Sequence, residues 1–387
     1  MHRLAVILIL LSCAVHAEAA VQITECCPDP YQYNDADEYL VLSGNGSLDD
    51  ITVSDGKSGF RFPAGTKING SLTIARSGAA FVQTYARYPD FEWLDSSPLI
   101  RNVIPGDPLR MANKQDALIL YKNGLLDQKV SWPDDVKPRE GQIHYLENGS
   151  WDIRPLMIGQ SRFFPAVFGN VSVTTFVSPD NSGEIFFYAL NQASDEVLLN
   201  VYEFSSPFMA DSLIAAHERH VDVKIFLEGG PVGGISAEEN GVIRKMTDRG
   251  IPVSLMVSDS SFPAPYRYNH AKYVVIDRSA TLLTSENFKY SGFPPTGING
   301  NRGWGVYLED PALAEYFRTV YIIDSSGKSV ISYNGSKEGL ETATTVEHTV
   351  EFAPGFFAGA TVRPVISPDT SSQITDLINS AERSIEI

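Results

Sequence analysis

Two patterns of apolar spacing divide the chain. Up to about residue 155 the apolar runs are short, as at Tyr39 to Leu42, Ile51 to Val53, Leu72 to Ala75 and Leu118 to Tyr121, and Gly, Pro and Asn break them often. Short β-prone runs between frequent turn residues predict an all-β sandwich over 21–155. Residues 156–170 read as a linker or as the last edge of that domain. From Val171 the pattern changes. A strand over Val171–Val177 leads into helix Ile185–Ala193, strand Val197–Phe204, helix Met209–His220, strand Val221–Leu227, helix Ile235–Gly250 and strand Ile251–Val257. Gly250 stands where a left-handed helix cap belongs. Such alternation predicts an α/β domain, here over 170–330. Residues 331–361 read as a linker or insertion.

One internal repeat crosses this pattern. Val177-Ser178-Pro179-Asp180 recurs as Ile366-Ser367-Pro368-Asp369. Ala193 and the Val197–Leu199 strand follow the first copy; Ala381 and Ile385-Glu386-Ile387 follow the second, one residue closer. Residues 362–387 therefore read as the incomplete start of a second α/β repeat. A strand without partners would leave its backbone groups unpaired, so the chain is expected either to continue or to pair with a second copy.

The candidate chemistry lies in His270-Ala271-Lys272-Tyr273-Val274-Val275-Ile276-Asp277 and in Thr284-Ser285-Glu286-Asn287. Ala271–Ile276 is β-branched and aromatic enough for a strand. Residues two apart on a strand share a face, so His270 and Lys272 point the same way. A second run, Ala280–Leu283, delivers Ser285 and Asn287, again two apart. A neutral imidazole can attack phosphorus and form a covalent intermediate. A lysine neutralises non-bridging phosphate oxygens. A Ser hydroxyl and an Asn amide donate to the charge that builds up in the transition state. An aspartate can fix the tautomer or charge state of a histidine. These residue types and spacings suit phosphoryl transfer.

H-x-K-x4-D followed by G/S-S-x-N resembles the signature of the phospholipase D superfamily, position by position at His270, Lys272, Asp277, Ser285 and Asn287. Thr284 replaces the family's usual Gly, at a position that shapes the turn. The resemblance implies a phosphodiester hydrolase that works through a phosphohistidine and needs no metal or other cofactor. His270 would be nucleophile or general acid, Lys272 and Asn287 would hold phosphate oxygens with Ser285 helping, and Asp277 would support the site. Members of the family bring two such motifs together across a pseudo-twofold axis. This sequence carries one. The second is expected from a C-terminal part missing here or from a homodimer partner. The substrate is a phospholipid or a nucleic acid. Without a second motif the reading becomes a non-catalytic surface-binding protein whose sandwich is the working part.

The first region is similar to the lamin-tail domain, an immunoglobulin-like fold. The likeness runs in order through Ile23-Thr24-Glu25, Asp37-Glu38-Tyr39, Asp55-Gly56, Phe62-Pro63-Ala64-Gly65-Thr66-Lys67-Ile68, Ile74-Ala75-Arg76, Leu109 to Asn113 and Asp116 to Leu120. It implies a domain that anchors or presents an exported hydrolase, and it leans toward a nuclease. The charge leans the other way: a net −17 disfavours tight, non-specific binding to nucleic acid, without excluding a basic cleft on an acidic body.

Length and composition fit two or three globular domains, at 387 residues and 43% hydrophobic. Residues 1–20 read as a secretory signal: Arg3, a short apolar core over Leu4–Leu11, and Ala17-Glu18-Ala19 at the cleavage point. The protein is accordingly expected outside the cytoplasmic membrane, secreted or in the cell envelope. Leu11-Ser12-Cys13 offers a lipoprotein alternative, with lipid on Cys13. Cys26 and Cys27 read as small, half-buried strand residues, since neighbours in sequence do not make an ordinary disulfide. Sequons at Asn45, Asn69, Asn148, Asn170 and Asn334 permit glycosylation, but read first as turns. His217 and His220 read as a solvated helix face and not a metal site. Arg302 could reach a phosphate if the Trp304–Leu308 strand lies beside the motif strand, and is otherwise a surface arginine.

Overall fold

The structure is a computed structural model and describes residues 20–114, 116–132, 139–147, 150–151, 156–258, 263–335 and 346–385. The signal segment with Cys13 and the Asn148 sequon lie outside the described residues, as do 386–387 of the second repeat. The chain divides into two compact units, 1–158 and 159–387. Among the described residues no helix is long and apolar enough to cross a membrane.

The first unit holds two mainly antiparallel sheets. One orders Ser150–Trp151, Gln142–Glu147, Gln22–Asp29, Tyr39–Ser47, Lys67–Ser77, Phe91–Leu94 and Arg101–Asn102, with Leu156–Met157 added at Gln142–Ile143. The other orders Leu125–Trp132, Asp116–Lys122, Ile51–Ser54, Gly59–Arg61 and Ile104–Pro105. Alternate residues of both sheets, such as Ile23, Leu40 and Leu42 against Val53, Phe60 and Leu118, share one core. The region is strand-rich but not all-β. Gly78–Tyr85 is a helix, capped by Ser77 Oγ, which accepts from Ala80 N at 3.2 Å. Its Phe81 and Tyr85 pack on Tyr39, on the face of the sheet away from the core. Cys26 and Cys27 point to opposite faces, and the helix covers the second face, so both are fully buried and not half-buried as expected. Burial raises both thiols well above their ordinary value. The turn reading of two sequons also fails: Asn45 and Asn69 face each other in paired strands.

The second unit contains β1 (Phe168–Ser178), α1 (Ser182–Gln192), β2 (Glu196–Val201), α2 (Pro207–Glu218), β3 (Asp222–Glu228), α3 (Ala237–Thr247), β4 (Val253–Met256), β5 (Lys272–Ile276), β6 (Ala280–Thr284), β7 (Gly303–Glu309), α4 (Pro311–Asp324), β8 (Val330–Ser332), β9 (Gly355–Val362) and α5 (Ser372–Asn379). They build one sheet in the order β8-β4-β3-β2-β5-β6-β7-β1-β9, with β2, β3 and β4 parallel and the other pairs antiparallel. Helices α1, α2 and α3 bury their apolar residues against one face, and α4 packs on the other. Local chemistry sets the ends. The strand expected to reach Phe204 stops at Val201, because Tyr202 N turns to Ala271 O and Phe204 N to Glu239 Oε1. Helix α2 starts behind Ser206, whose Oγ accepts from Met209 N. Helix α4 was not anticipated, although Asp310-Pro311 supplies an N-cap and a first-turn proline.

The second repeat begins before residue 362. Strand β9 falls inside the stretch read as a linker, and it pairs with β1 in a self-similar way. Phe168 faces Val362, Phe357 faces Val173, and Val171 faces Ala360. The same sequence offset carries Phe168 to Phe357, Val171 to Ala360 and Val173 to Val362. It also carries the left-handed residue Asn170 to Gly359. It carries Phe163 to Phe352 and Asp180 to Asp369: Asp180 Oδ2 accepts from Phe352 N at 2.8 Å, and Asp369 Oδ2 from Phe163 N at 2.6 Å. Val177 N donates to Asn181 Oδ1, and its image Ile366 N to Thr370 Oγ1, both at 2.8 Å. A local twofold axis therefore passes through the Val171–Ala360 pair, and each repeat clasps the segment leading into the other's first strand.

Asp180 also accepts from His348 Nε2 at 2.7 Å and Glu351 N at 3.1 Å. Asp180→Ala is expected to cost about 2 kcal/mol in urea unfolding, and to speed amide exchange over residues 351–362 more than elsewhere. Unchanged exchange there, read by mass spectrometry, would show that the carboxylate does not hold β9.

Candidate active site

Four of the five motif residues, His270, Lys272, Ser285 and Asn287, lie at one end of the central strands of the nine-stranded sheet. Val201 pairs with Lys272 where β2 ends and β5 begins, and Thr284 pairs with Gly305 where β6 ends. His270 lies two residues before β5. Behind it, buried Asn269 donates from its backbone N to Glu228 Oε2 at 2.6 Å and from Nδ2 to Asn200 Oδ1 at 2.8 Å. Asn200 Nδ2 donates in turn to Tyr273 Oη at 3.3 Å. A polar network with its members satisfied rigidifies the segment it holds, here the approach to His270.

His270 and Lys272 are brought together on one aromatic ring. The imidazole centroid is 4.8 Å from that of Tyr202, and Lys272 Nζ is 5.6 Å from it. Lys272 Nζ also donates to His270 O at 3.1 Å. From β6, Ser285 Oγ accepts from Trp304 N at 3.0 Å, which leaves its hydroxyl proton for an outside acceptor. Thr284 Oγ1 donates to Trp304 O and accepts from Glu286 N, so it shapes the turn. Asn287 Nδ2 donates to Glu203 Oε2 at 2.6 Å, and Lys289 Nζ pairs with the same oxygen at 2.8 Å. Asn287 Oδ1 is buried without a hydrogen-bond partner among the described residues. Glu286 Oε2 accepts from Asn301 Nδ2 at 3.0 Å, and its side chain fills the space over Gly303, where any Cβ would collide with it.

Charge at the site reflects burial first. Burial lowers the His270 imidazole below its ordinary value of 6.5, Lys272 adds to the effect, and Glu203 opposes it. Burial also lowers the Lys272 ammonium to about 8, against the pull of Glu203 and Glu286. Near neutral pH the histidine is thus mostly unprotonated and the lysine mostly charged, as nucleophile and phosphate ligand require. A cavity of about 450 Å³ opens beside the pair, lined among others by Tyr266, Tyr268, Asp324 and Ser367. Burial pushes the Asp324 carboxyl up to about 7, with Asp369 adding and the Tyr266 hydroxyl opposing.

One expectation needs correction. Asp277 is not at the site. It ends β5 at the opposite end of the central strands, seven residues and so about 20 Å along the strand from His270. Its carboxylate accepts from Ser194 N, Asp195 N and Glu196 N at 2.8, 2.8 and 2.9 Å and from Ser194 Oγ at 2.9 Å, and its φ of +51° opens the turn into β6. Of the two readings of Arg302, the surface arginine is the one that fits. Its strand lies beside β6, not β5, and its guanidinium faces Asp180 Oδ1 at 3.6 Å and the Phe352 ring. His217 lies in the last turn of α2 with its Nδ1 buried, and His220 stands beyond the helix in a left-handed conformation. Among the described residues no group of three or more His, Cys, Asp and Glu is placed to hold a metal. Tyr202, Glu203, Glu286, Lys289 and the Asn200–Asn269 pair were missed from sequence; a polar residue inside the apolar Val197–Val201 run was the one visible signal.

Residues 187–325 match the family profile described as cardiolipin synthase, PLD-like domain. The second unit contains a phospholipase D-like domain. None of the curated proteins matches the chain. Among solved structures, the phospholipase D family member Nuc from Salmonella typhimurium aligns at 21% identity over 44% of this chain and 100% of its own, with a TM-score of 0.36. NucT from Helicobacter pylori aligns at 15% over 42% of this chain and 99% of its own, with a TM-score of 0.36. Phosphatidylserine synthase from Haemophilus influenzae Rd KW20 aligns at 13% over 55% of this chain and 50% of its own, with a TM-score of 0.32. Similarity of this degree bears on neither substrate nor reaction.

The placement of Asp277 in the phospholipase D-like domain has a direct test. Asp277→Ala removes four donors' shared acceptor and is expected to cost about 2 kcal/mol of stability, while the His270 titration followed by NMR keeps its midpoint. A moved midpoint in a folded variant would return Asp277 to the site.

Proposed function

We propose that the protein is a phosphodiester hydrolase of the phospholipase D type. The observation that carries this reading is the meeting of His270 and Lys272 on the Tyr202 ring at the ends of the central strands, with Ser285 and Asn287 delivered by the neighbouring strand. His270 attacks phosphorus, the bond to the leaving oxygen breaks, and that oxygen takes a proton from a second histidine. The second histidine then takes a proton from water as the water oxygen displaces His270 from phosphorus. His270 and its counterpart exchange these roles if the substrate enters the other way round. Lys272, Asn287 and Ser285 hold the non-bridging oxygens.

The second histidine belongs to a second motif. The twofold through Val171–Ala360 supports a supply in cis, since the β1 edge on which another chain would have to pair is occupied by β9 of the same chain. The two clasped turns also flank the site: Ser367 lines the cavity with His270, and Asp180 faces Arg302, next to the Asn301 that holds Glu286. The first unit is, in this proposal, a lamin-tail-like domain of immunoglobulin type that presents the enzyme outside the cytoplasmic membrane; its two sheets around one core support that reading.

His270→Asn is expected to abolish hydrolysis of bis-p-nitrophenyl phosphate with the melting temperature kept; a variant as fast as wild type overturns the proposal. The pH profile of kcat/KM is expected to be bell-shaped. It rises as His270 loses its proton below 6.5 and falls as the second histidine, which must carry a proton to act as general acid, and Lys272, near 8, lose theirs. An alkaline limb near the ordinary lysine value would mean that burial does not lower the proton affinity of Lys272. The substrate is a phospholipid or a nucleic acid. Turnover that falls steeply with added salt on single-stranded DNA, and is absent on phospholipid vesicles, would assign the nuclease.

A further inference from the structure

We infer that Glu203 is the positioning residue of the site: its carboxylate fixes the Asn287 amide and recruits Lys289 as a second cation. The kinetic part of this inference rests on the phosphodiesterase reading above.

The backbone around Glu203 leaves its side chain little choice. Phe288 N donates to Glu203 O at 3.0 Å, and Ser205 N and Ser206 N both donate to Phe288 O, at 3.0 and 3.1 Å. The exit from β2 is therefore stitched to the segment that carries Asn287 and Lys289. Glu203 Oε2 then accepts from Asn287 Nδ2 at 2.6 Å and pairs with Lys289 Nζ at 2.8 Å. The Glu203 side chain is 20% exposed and that of Lys289 38%, so the pair is only partly open to water.

The amide is the reason this matters. An Asn side chain offers two N–H donors on one end and an acceptor on the other. With one N–H bonded to Glu203, the second remains on the same side for a phosphate oxygen. The opposite pose would turn Oδ1 toward an anion and repel it. The chosen pose leaves Oδ1 buried and unpartnered among the described residues, a cost that the charge-assisted bond to Glu203 offsets. A lone carboxylate beside a phosphate site would repel the substrate. Lys289 neutralises this one, and Glu203 in turn supports the charged forms of His270 and Lys272. A merely structural ion pair would do none of this.

Glu203→Gln keeps the shape and an acceptor for Asn287 but removes the charge. In the substrate-free chain its His270 titration, followed by NMR, is expected to move to lower pH, and the alkaline limb of kcat/KM to move the same way, with little change in melting temperature. Glu203→Ala also frees the amide and is expected to lower kcat on bis-p-nitrophenyl phosphate on the order of 100-fold, with KM changed much less. An unmoved His270 midpoint in Glu203→Gln, or wild-type kcat in Glu203→Ala, overturns the inference. The NMR readout needs no substrate. A wild type that hydrolyses no phosphodiester but shows the shift would therefore sink the phosphodiesterase reading and keep the electrostatic link from Glu203 to His270.

Discussion

The site depends on the register of one strand. β5 is paired on both sides, with Val197 against Ile276 through Val201 against Lys272 on one, and Ile276 against Ala280 through Tyr273 against Leu283 on the other. Its side chains are buried on both faces: Val274 and Ile276 among the residues that α1, α2 and α3 cover, Tyr273 and Val275 under α4. A slip of one residue would exchange the two sets and carry Lys272 to the other face. Apolar burial in the middle of the strand thus decides where a charged residue stands at its end. Asp277 completes the constraint from the far end, where its carboxylate collects four hydrogen bonds from the loop that begins β2.

With the register set, the site's electrostatics follow from a conflict. A lysine half-buried beside an imidazole and an aromatic ring tends to lose its proton, and a histidine there tends to stay neutral. The second tendency suits a nucleophile; the first would weaken a phosphate ligand. Glu203 and Glu286 act on the lysine in the opposite sense. Neither acid sits in the open: Asn287 and Lys289 hold one and Asn301 the other, and Gly303 leaves room for Glu286. The acids therefore tune the cation without facing the substrate as free negative charge.

What was legible in the sequence is what short-range periodicity encodes. His270 with Lys272, and Ser285 with Asn287, came from the alternation of a strand, and the α/β alternation came from apolar runs with cap and breaker residues between them. Asp277 misled because strand spacing was read for its face and not for its length: an extended chain moves it across the whole sheet while keeping it in the motif. The role of Arg302 stayed open because strand order is not local, and β6 intervenes between its strand and β5. Glu203 could not be found by spacing, since its partners lie on a segment that only the sheet brings near. The cysteines looked half-buried because the helix over Gly78–Tyr85 was not foreseen, and Asn45 and Asn69 looked like turn residues because Asn-Gly is a turn signal unless a paired strand holds it.

The repeat shows how little of a symmetry sequence needs to display. Four residues, Val177 to Asp180 and Ile366 to Asp369, are all that is plain to the eye. The pairing of Phe168 with Val362 and of Phe357 with Val173 is carried by backbone groups that any residue supplies, and the two aspartate carboxylates end on backbone N–H groups, of Phe352 and Phe163. Backbone recognition leaves the side chains free to diverge, and they have: the place of His348, which bonds Asp180, is taken in the first repeat by Gly159. The second repeat still shapes the chemistry of the first. Val365, Ile366 and Ser367 form part of the wall of the cavity that His270 and Lys272 also line.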